Sequence, residues 1–480
     1  MALEHLEPRG VFRIFEELCG IPHGSRNTKA VSDWCVRFAK ERGFTCYQDA
    51  ADNVIIIAEA SVGYENASAV ILQGHLDMVC EKNGDCAKDM EREGLDLAAE
   101  GDFVFAKGTT LGGDDGIAVA MALAILDDPT IPRPHLEVVL TSDEEIGMLG
   151  AAALDVSPLR GRQLLNIDSE EEGVFTVSCA GGSLTRCDLP LTRAAFSGTA
   201  LRIRVAGLAG GHSGVEIHKG RANADILLGR LLRAMEEKTQ LRLVSAAGGL
   251  KDNAIPVEAE AVVLAANTAM AKAAALALGT ALQSEYRVTD PGLTVSVAEA
   301  DTAAELPMDE ASTERAICFM TCAPNGVQAM SADIPGLVQT SLNLGILRTT
   351  EDMLTGVFCV RSSVESQKEM LNDRLRCLTR QLGGTVDVSG DYPAWAYRPD
   401  SPLRERMVEV FRRQYGYDPK IEAIHAGVEC GLFCGKIPGL DCVSIGPDLT
   451  EIHTPREKMS ISSVQRVWAF VLEVLKCSNE

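Results

Sequence analysis

The residues of this chain that are best suited to chemistry are histidines and carboxylates that follow short apolar segments. Four such segments end in potential metal ligands: AVILQG before His75 and Asp77, LEVVLTS before Asp143-Glu144-Glu145, LLNI before Asp168, and CVSIGP a short loop before His453. A fifth group, Asp114-Asp115, stands where the glycine-rich stretch GTTLGGDDG enters a predicted helix. Imidazole and carboxylate groups are ligands of zinc and, less specifically, of manganese and cobalt.

Each group taken alone also has a simpler interpretation. Asp114 or Asp115 is well placed to cap its helix, Glu144-Glu145 is compatible with a solvated turn, and His453 with a surface position. His75 differs, because it closes an apolar strand where burial is expected. If the strand continues, Asp77 projects to the same side and is suited to hold the second nitrogen of the His75 imidazole.

The coincidence of these groups favours a metal site. The chain has only eight histidines, yet two of them fall at predicted strand ends together with at least four carboxylates. So much negative charge at one edge would be repulsive unless cations neutralised it. Five or more such groups exceed the needs of one tetrahedral ion, and the pattern therefore favours two metal ions.

Alternating strand and helix signals must bring these groups together. The strand signals are short, apolar and partly β-branched runs at 53–58, 69–73, 136–141 and 164–167, and the helix signals lie at 11–19, 29–41 and 116–126. This alternation predicts an α/β fold with a mainly parallel sheet covered by helices. Ligands bind beyond the carboxyl ends of the strands in such sheets, which is where the candidate residues lie.

The pattern changes after the glycines at 181–182. From about 183 to 392 the signals run strand, helix, strand, strand, helix, strand, and a similar series follows. This order predicts an inserted α+β lid domain that contains a duplicated unit. Past about residue 393, strand and helix signals like those of the first region resume. We therefore predict a discontinuous catalytic domain, residues 1–182 and 393–480, with residues 183–392 inserted.

Composition excludes several classes of protein. The chain has 480 residues, 46% of them hydrophobic, and a formal net charge of −23. These values exclude overall disorder, and the acidity disfavours a nucleic-acid partner. We detect no uncharged apolar segment long enough to span a membrane and no secretory signal. Fifteen scattered cysteines do not resemble a disulfide framework, and they indicate a reducing cytoplasm.

Six motifs occur together in one order along the chain: GHLDMV (74–79), GGDDG (112–116), SDEEIGMLGA (142–151), NIDSEEEG (166–173), GGHSG (210–214) and IHTP (452–455). This set resembles the M20 metallopeptidase family, over essentially the whole chain. TTLGGDDGIAVA, NIDSEEEG, HAGVECGLF (425–433) and the long duplicated insertion resemble the aminoacyl-histidine dipeptidase branch more than the aminoacylase or glutamate-carboxypeptidase branches.

The resemblance implies a site with two Zn²⁺ ions, for which Mn²⁺ or Co²⁺ would be substitutes. His75, Asp114 and Asp168 would hold one ion, and Asp114, Glu145 and His453 the other. Asp114 is preferred to Asp115 as the bridging residue because of the flanking glycines, although Asp115 stands where this branch often has Asn. Asp77 would hold His75, and Glu144 would be the general base for a metal-bridging water of lowered pKa.

The resemblance also implies substrate contacts in the inserted lid. His212 would supply an oxyanion donor, Arg361 would bind the C-terminal carboxylate of the substrate, and Asn253 would add a polar contact. His425 and Glu429 are compatible with substrate contact or with a role in loop structure. These lid groups would require domain closure, so open and closed states are expected.

The implied function is that of a cytosolic dipeptidase for Xaa-His and similar unblocked dipeptides. One alternative is another M20 specificity, such as deacylation of N-acyl amino acids or cleavage of tripeptides. A non-catalytic relative whose lid serves as a binding surface is disfavoured, because Glu144 and every candidate ligand are present. No G-x-S-x-G motif supports a serine hydrolase, and no cysteine has the context of a nucleophile. Monomer and homodimer both remain open.

Overall fold

The chain forms two compact units in a computed structural model, which describes residues 2–300 and 306–479. The first unit comprises Met1–Ser178, Tyr397–Ala423 and Val428–Glu480, and the second comprises Cys179–Ala396 and Ile424–Gly427. The domain boundaries predicted at 182/183 and 392/393 stay a prediction. They differ from the edges of these units, and residues 424–427, predicted to lie in the catalytic domain, belong to the second unit.

The described residues contain the following secondary structure. The α-helices are α1 (Arg9–Cys19), α2 (Lys29–Glu41), α3 (Gly113–Asp127), α4 (Leu149–Ala153), α5 (Ala224–Glu236), α6 (Thr268–Glu285), α7 (Glu310–Cys322), α8 (Glu365–Gln381), α9 (Pro402–Tyr415), α10 (Glu429–Lys436) and α11 (Ile461–Lys476). The strands are β1 (Thr45–Gln48), β2 (Val54–Ala58), β3 (Val70–His75), β4 (Leu97–Glu100), β5 (Phe103–Ala106), β6 (Leu136–Thr141), β7 (Gln163–Asn166), β8 (Val174–Cys179), β9 (Gly181–Pro190), β10 (Thr199–Ala206), β11 (Leu241–Gly248), β12 (Ala259–Ala265), β13 (Thr294–Glu299), β14 (Gly326–Met330), β15 (Val338–Thr349), β16 (Met353–Ser362), β17 (Thr385–Tyr392), β18 (Lys420–Ile424), β19 (Asp441–Ser444), β20 (Leu449–Thr450) and β21 (Lys458–Ser460).

The main sheet of the first unit has the strand order β1-β2-β6-β3-β7-β19-β8-β18. Its centre is parallel, because β3 pairs in parallel with both β6 and β7, and β19 pairs in parallel with β7. The flanking pairs β1–β2, β2–β6 and β19–β8 are antiparallel. The predicted parallel sheet is therefore present at the centre, where β3 and β6 are buried along their whole length, as continuous apolar strands require.

The parallel centre brings the candidate residues to one edge of the sheet. β3 ends at His75, β6 ends just before the segment that carries Glu144, and β7 ends just before Asp168. Helix α3 is buried on all sides from Gly116 to Leu126, as expected for a helix that is apolar around its circumference. A small antiparallel sheet, in the order β20-β21-β5-β4, completes the first unit.

The second unit contains the duplicated unit in a form that sequence analysis only partly predicted. Its sheet has the order β13-β10-β12-β11-β15-β16-β9-β17, with β14 paired to β15. Numbered by their place within each repeat, the strands run 4-1-3-2 in the first repeat and 2-3-1-4 in the second. The two repeats meet where β11 pairs with β15. The opening strand of the second repeat is β9, so the first repeat is inserted between β9 and α7.

One face of this second sheet is apolar and the other is charged. Leu201 and Ile203 of β10 join an apolar core with Phe319 of α7 and Leu371 of α8. The alternate residues of β10 are exposed and form ion pairs, Arg202 with Glu260 of β12 and Arg204 with Glu258 just before β12. Alternation of this kind is typical of a sheet covered on one side. In the two described ranges, no helix has the length and apolarity that a membrane span requires.

Candidate active site

His75 is the buried centre of a cluster of carboxylates in the first unit. Its Nε2 lies 3.1 Å from Asp114 Oδ1 and 3.5 Å from Asp168 Oδ1. On the other side of the ring, Nδ1 lies 2.9 Å from the Asp77 carbonyl oxygen and 3.5 Å from Asp77 Oδ1. Asp77 therefore contacts one ring nitrogen and leaves the other facing two carboxylates. A histidine that ligates a metal needs this arrangement.

His453, in the C-terminal part of the chain, contacts the same cluster of carboxylates. Its Nε2 lies 3.2 Å from Asp114 Oδ2 and 2.9 Å from Glu145 Oε1. The two carboxylate oxygens of Asp114 thus face different histidines, Oδ1 facing His75 and Oδ2 facing His453. A carboxylate that bridges two ions would occupy such a position.

The backbone separates the two neighbouring aspartates. Asp114 (φ −82°, ψ 106°) and Asp115 (φ −116°, ψ 28°) both depart from helical geometry at the start of α3. Asp115 is buried, and its Oδ2 accepts a hydrogen bond from the His75 backbone N–H at 3.1 Å. Asp114 is therefore the aspartate that contacts both histidine rings, although Asp115 also offers an oxygen close to His75 and Asp168.

Asp77 also fixes the segment that carries Glu144 and Glu145. Its Oδ1 accepts the Glu144 backbone N–H at 2.9 Å, and its Oδ2 accepts the Glu145 N–H at 3.3 Å. Ser25 Oγ donates to Asp77 Oδ2 at 2.8 Å, a contact that sequence analysis did not predict. Asp143 turns this segment in the left-handed region, at φ +51°, which is uncommon for a residue other than glycine. The sequence offered no local signal for Ser25, because 52 residues separate it from Asp77.

The pKa values of the clustered groups reflect the crowding of several carboxylates. Hydrogen bonds to Asp114 and Glu145 raise the pKa of His453 to about 10. Burial raises the pKa of Asp168 to about 6, and burial with nearby carboxylates raises the pKa of Glu144 well above its usual range. Burial would also raise the pKa of Asp114, but its hydrogen bonds with His453 and His75 outweigh burial and lower it. A cation would relieve the same repulsion.

The donor atoms fit divalent metal ions. His75, Asp114 and Glu145 each offer an atom within 4.8 Å of the others, and so do His75, Asp115 and Asp168. This set of imidazole nitrogens and carboxylate oxygens suits zinc, manganese or cobalt. It includes four of the five predicted ligands, and the fifth, His453, contacts Asp114 and Glu145.

Glu429, whose role sequence analysis left open, is hydrogen-bonded to side chains of the central sheet. It is fully buried, and its Oε2 accepts hydrogen bonds from Gln73 Nε2 at 2.5 Å and Thr141 Oγ1 at 2.7 Å. Gln73 and Thr141 belong to β3 and β6, so Glu429 ties α10 to the centre of the sheet. Burial raises its pKa to about 7. These contacts favour the structural interpretation of this residue.

The predicted lid residues His212 and Arg361 form a second polar cluster, within the second unit. A Cβ atom on Gly214 would lie 3.0 Å from His212 Cε1, 3.1 Å from Arg361 Nε and 2.5 Å from the His425 carbonyl oxygen. Gly214 therefore allows these three residues to approach one another. Arg361 Nη1 donates to the hydroxyl of Tyr392 at 2.9 Å.

Several atoms of this second cluster lack a protein partner. Arg361 Nε, His425 Nδ1 and Ser213 Oγ are buried without one among the described residues. The other nitrogen of His425, Nε2, lies 2.7 Å from Ser341 Oγ. Buried polar groups are normally paired, so unpaired ones indicate a place for a ligand or water. Tyr392, Ser213 and Ser341 were not predicted, because no local pattern distinguishes them.

The environment of His212 defines its tautomer. Its Nδ1 accepts hydrogen bonds from the backbone N–H groups of Gly214 and Val215, at 3.1 and 3.2 Å. The Nε2 position therefore carries the proton in the neutral ring.

Asn253 is a neighbour of the His212 segment, because its carbonyl accepts the Ser213 N–H at 2.8 Å. Asn253 and His212 both line a cavity of about 990 Å³ in the second unit.

The family model of peptidase family M20/M25/M40 matches residues 71–476, and the chain belongs to this family. It is 38% identical to the cytosol non-specific dipeptidase of Escherichia coli (strain K12), over 99% of this chain and 98% of that protein.

Solved structures support the same family and fold. The crystal structure of aminoacylhistidine dipeptidase from Vibrio alginolyticus is 36% identical, with a TM-score of 0.94, over 99% of this chain and 98% of that one. Aminopeptidase PepT from Bacillus cereus, at 14% identity, shares the fold with a TM-score of 0.57 and covers 99% of this chain and 100% of that one. The predicted M20 family, the α/β fold class with an inserted α+β lid, and the class of dipeptide-hydrolysing metallopeptidase are confirmed.

Proposed function

We propose that this chain hydrolyses unblocked dipeptides, Xaa-His dipeptides among them, at a centre of two divalent ions that are zinc in the native enzyme. The observation that carries the proposal is the position of Asp114, whose two carboxylate oxygens lie 3.1 Å from His75 and 3.2 Å from His453. The substrate class rests on the names of the Escherichia coli and Vibrio alginolyticus relatives. The name of the first also supports a cytosolic location.

The proposed ligands divide into two overlapping sets. His75, Asp114 and Asp168 would hold one ion, and Asp114, Glu145 and His453 the other. When bound, such ions lower the pKa of water and polarise the scissile carbonyl. Asp77 orients His75 by contacting Nδ1, and its two backbone contacts position Glu144 beside Glu145. Asp77 is thus proposed to act by orienting His75 and Glu144.

Glu144 is proposed as the general base. Its carboxyl group lies in the field of His75 and Asp168, and burial raises its pKa well above the usual range of a glutamate. A carboxylate with a raised pKa accepts a proton from the attacking water more readily. The protonated Glu144 then donates this proton to the leaving amine, so one residue serves both halves of the reaction.

The second unit is proposed to bind the substrate. Arg361 keeps an unpaired buried Nε, and a guanidinium that already donates to Tyr392 can still bind a carboxylate, here the C-terminal one of a dipeptide. His212 keeps its Nε2–H available as a donor to the developing oxyanion, because its Nδ1 is occupied by backbone N–H groups. Asn253 would add a polar contact beside His212.

A substrate panel tests the function. The purified chain, freed of metal and then reconstituted with Zn²⁺, Mn²⁺ or Co²⁺, is assayed with carnosine, other Xaa-His dipeptides and dipeptides without histidine. The matched controls are N-acetyl amino acids and the corresponding tripeptides. We expect metal-dependent hydrolysis of free dipeptides. Hydrolysis of acylated amino acids or tripeptides alone would contradict the dipeptidase proposal and favour the other M20 specificities.

A further inference from the structure

Glu457 is a buried glutamate that sequence analysis did not single out. It lies four residues after His453 in the chain, and only 3% of it is exposed. Its Oε2 accepts the backbone N–H groups of Leu111 and Gly112, at 2.7 and 3.1 Å. Its Oε1 accepts those of Gly113 and Asp114, at 2.8 and 3.5 Å. One carboxylate thus faces four consecutive N–H groups.

These N–H groups run from the segment before α3 into its first two residues, where Asp114 departs from helical geometry. The residue before the helix is Gly112, which has a left-handed φ of +68° and no side chain to accept a hydrogen bond. Buried backbone N–H groups need a hydrogen-bond partner, and a carboxylate is a strong acceptor for them. Gly113 allows the approach, because a Cβ atom at this position would lie 3.3 Å from Glu457 Oε1 and 2.8 Å from Leu449 Cδ2.

The segment 453–457 therefore contacts the segment 111–114 at two points. His453 contacts the Asp114 side chain through Oδ2, and Glu457 binds the backbone from which this side chain projects. The two segments are separated by about 340 residues of sequence, and a buried charge with several hydrogen bonds holds them in register.

We propose that Glu457 is a positioning residue of the metal centre: it fixes the backbone at 111–114 and so holds Asp114 between His75 and His453. This inference rests on the proposed metal centre. It differs from a purely structural cap in one respect. A structural cap would change the stability of the protein, whereas a positioning residue also changes the metal affinity of molecules that are correctly folded.

The test compares two variants that each remove a carboxylate that accepts a hydrogen bond from the backbone. In Glu457→Gln, the side-chain amide places an N–H donor against backbone N–H donors and removes the charge. The matched control is Asp102→Asn. Asp102 accepts the Ser462 N–H at 2.9 Å and the hydroxyls of Ser460 and Ser462, at the start of α11, and contacts none of the candidate ligands in the described residues.

Apo protein of each variant is titrated with Zn²⁺ against a competing chelator, and folding is checked by circular dichroism and thermal unfolding. We expect Glu457→Gln to bind Zn²⁺ about tenfold or more weakly than the wild type, in line with losses of contacts that orient metal ligands. Asp102→Asn should unfold at a lower temperature and keep the wild-type affinity.

The outcomes separate the two proposals. Wild-type affinity in folded Glu457→Gln would overturn the role of Glu457 and leave the metal centre intact. A wild-type chain that takes up no metal would overturn the metal centre, and the role of Glu457 with it. If Glu457→Gln does not fold, Glu457→Asp, which keeps the charge and shortens the side chain, replaces it in the titration. Weaker Zn²⁺ binding by folded Glu457→Asp than by the wild type supports the proposal, and wild-type affinity would overturn it.

Discussion

Two pairs of histidines in this chain lie in opposite electrostatic environments. His75 and His453 of the first unit lie among carboxylates, which raise the pKa of both rings. His212 and His425 of the second unit have lowered pKa values, because burial and the charge of Arg361 both disfavour their protonation. The histidines of the first unit thus lie where a cation would relieve the crowding of negative charge, whereas those of the second unit stay uncharged beside Arg361.

The comparison shows that the neighbours of a histidine, more than the histidine itself, define the kind of site. Burial acts against the charged ring in both units. In the first unit the carboxylates outweigh it, whereas in the second unit Arg361 acts in the same direction as burial.

The largest effect is expected for Glu144→Gln. The amide keeps the shape of the side chain but cannot accept the proton of the attacking water. We expect the turnover rate to fall by about a hundredfold or more, the usual size of general-base effects, with unchanged metal content. The exposed Glu171 provides a control, since Glu171→Gln should retain the wild-type rate. Unchanged turnover in Glu144→Gln with full metal content would rule out its role as the base.

A large effect is also expected for Arg361→Lys, which tests the anion-binding side. An ammonium group cannot reproduce the paired donors of a guanidinium. We expect KM for a dipeptide to rise by about tenfold, or roughly 1.4 kcal/mol, with a smaller change in kcat. Tyr392→Phe removes only the neighbouring hydroxyl and should change KM less. Equal KM values for Arg361→Lys and the wild type would show that Arg361 does not bind substrate.

Metal affinity should depend on pH, which tests the cation-binding side. In the metal-free protein the pKa of His453 is about 10, so this ring is protonated at neutral pH and must lose its proton to bind metal. The affinity should therefore fall as pH falls, by about tenfold per pH unit for each proton displaced. Calorimetry in buffers of different ionisation enthalpy measures the protons released. Binding without proton release would contradict this account of the first unit.

The smallest effect concerns His425 and the stability of the protein in acid. Its folded-state pKa is about 3, below that of the unfolded chain, so the unfolded chain binds a proton first as pH falls. At pH values above the pKa of the unfolded chain, protonation of His425 does not affect the stability of the fold. Below that pKa it destabilises the fold, by about 1 kcal/mol at one pH unit below it. His425→Asn should unfold with a weaker acid dependence in urea titrations. An identical dependence would show that His425 is not a buried neutral ring.

Sequence analysis predicted the elements that carry local signals. The apolar runs that became β3 and β6 were located, as was α3, and the order of motifs led to the correct family. Helix α9 was missed, although Leu403, Met407 and Val410 recur at helical spacing. The role of β9 in the second repeat was also missed, because strand pairing across an inserted repeat leaves no trace in the local pattern.

The candidate site shows the same limit. The residues at strand ends could be proposed as ligands because parallel strands bring their carboxyl ends to one edge. Ser25, Tyr392 and Glu457 could not be predicted, because each contributes through a contact with a residue far away in sequence. Contacts of this kind depend on the completed fold.

The position of Asp114 between the two histidines is most directly tested by the anomalous scattering of a zinc-soaked crystal. We expect two zinc ions per chain, one bound by His75 and the other by His453, with a carboxylate oxygen of Asp114 on each. A single zinc ion, or two ions without Asp114 between them, would contradict the shared metal centre.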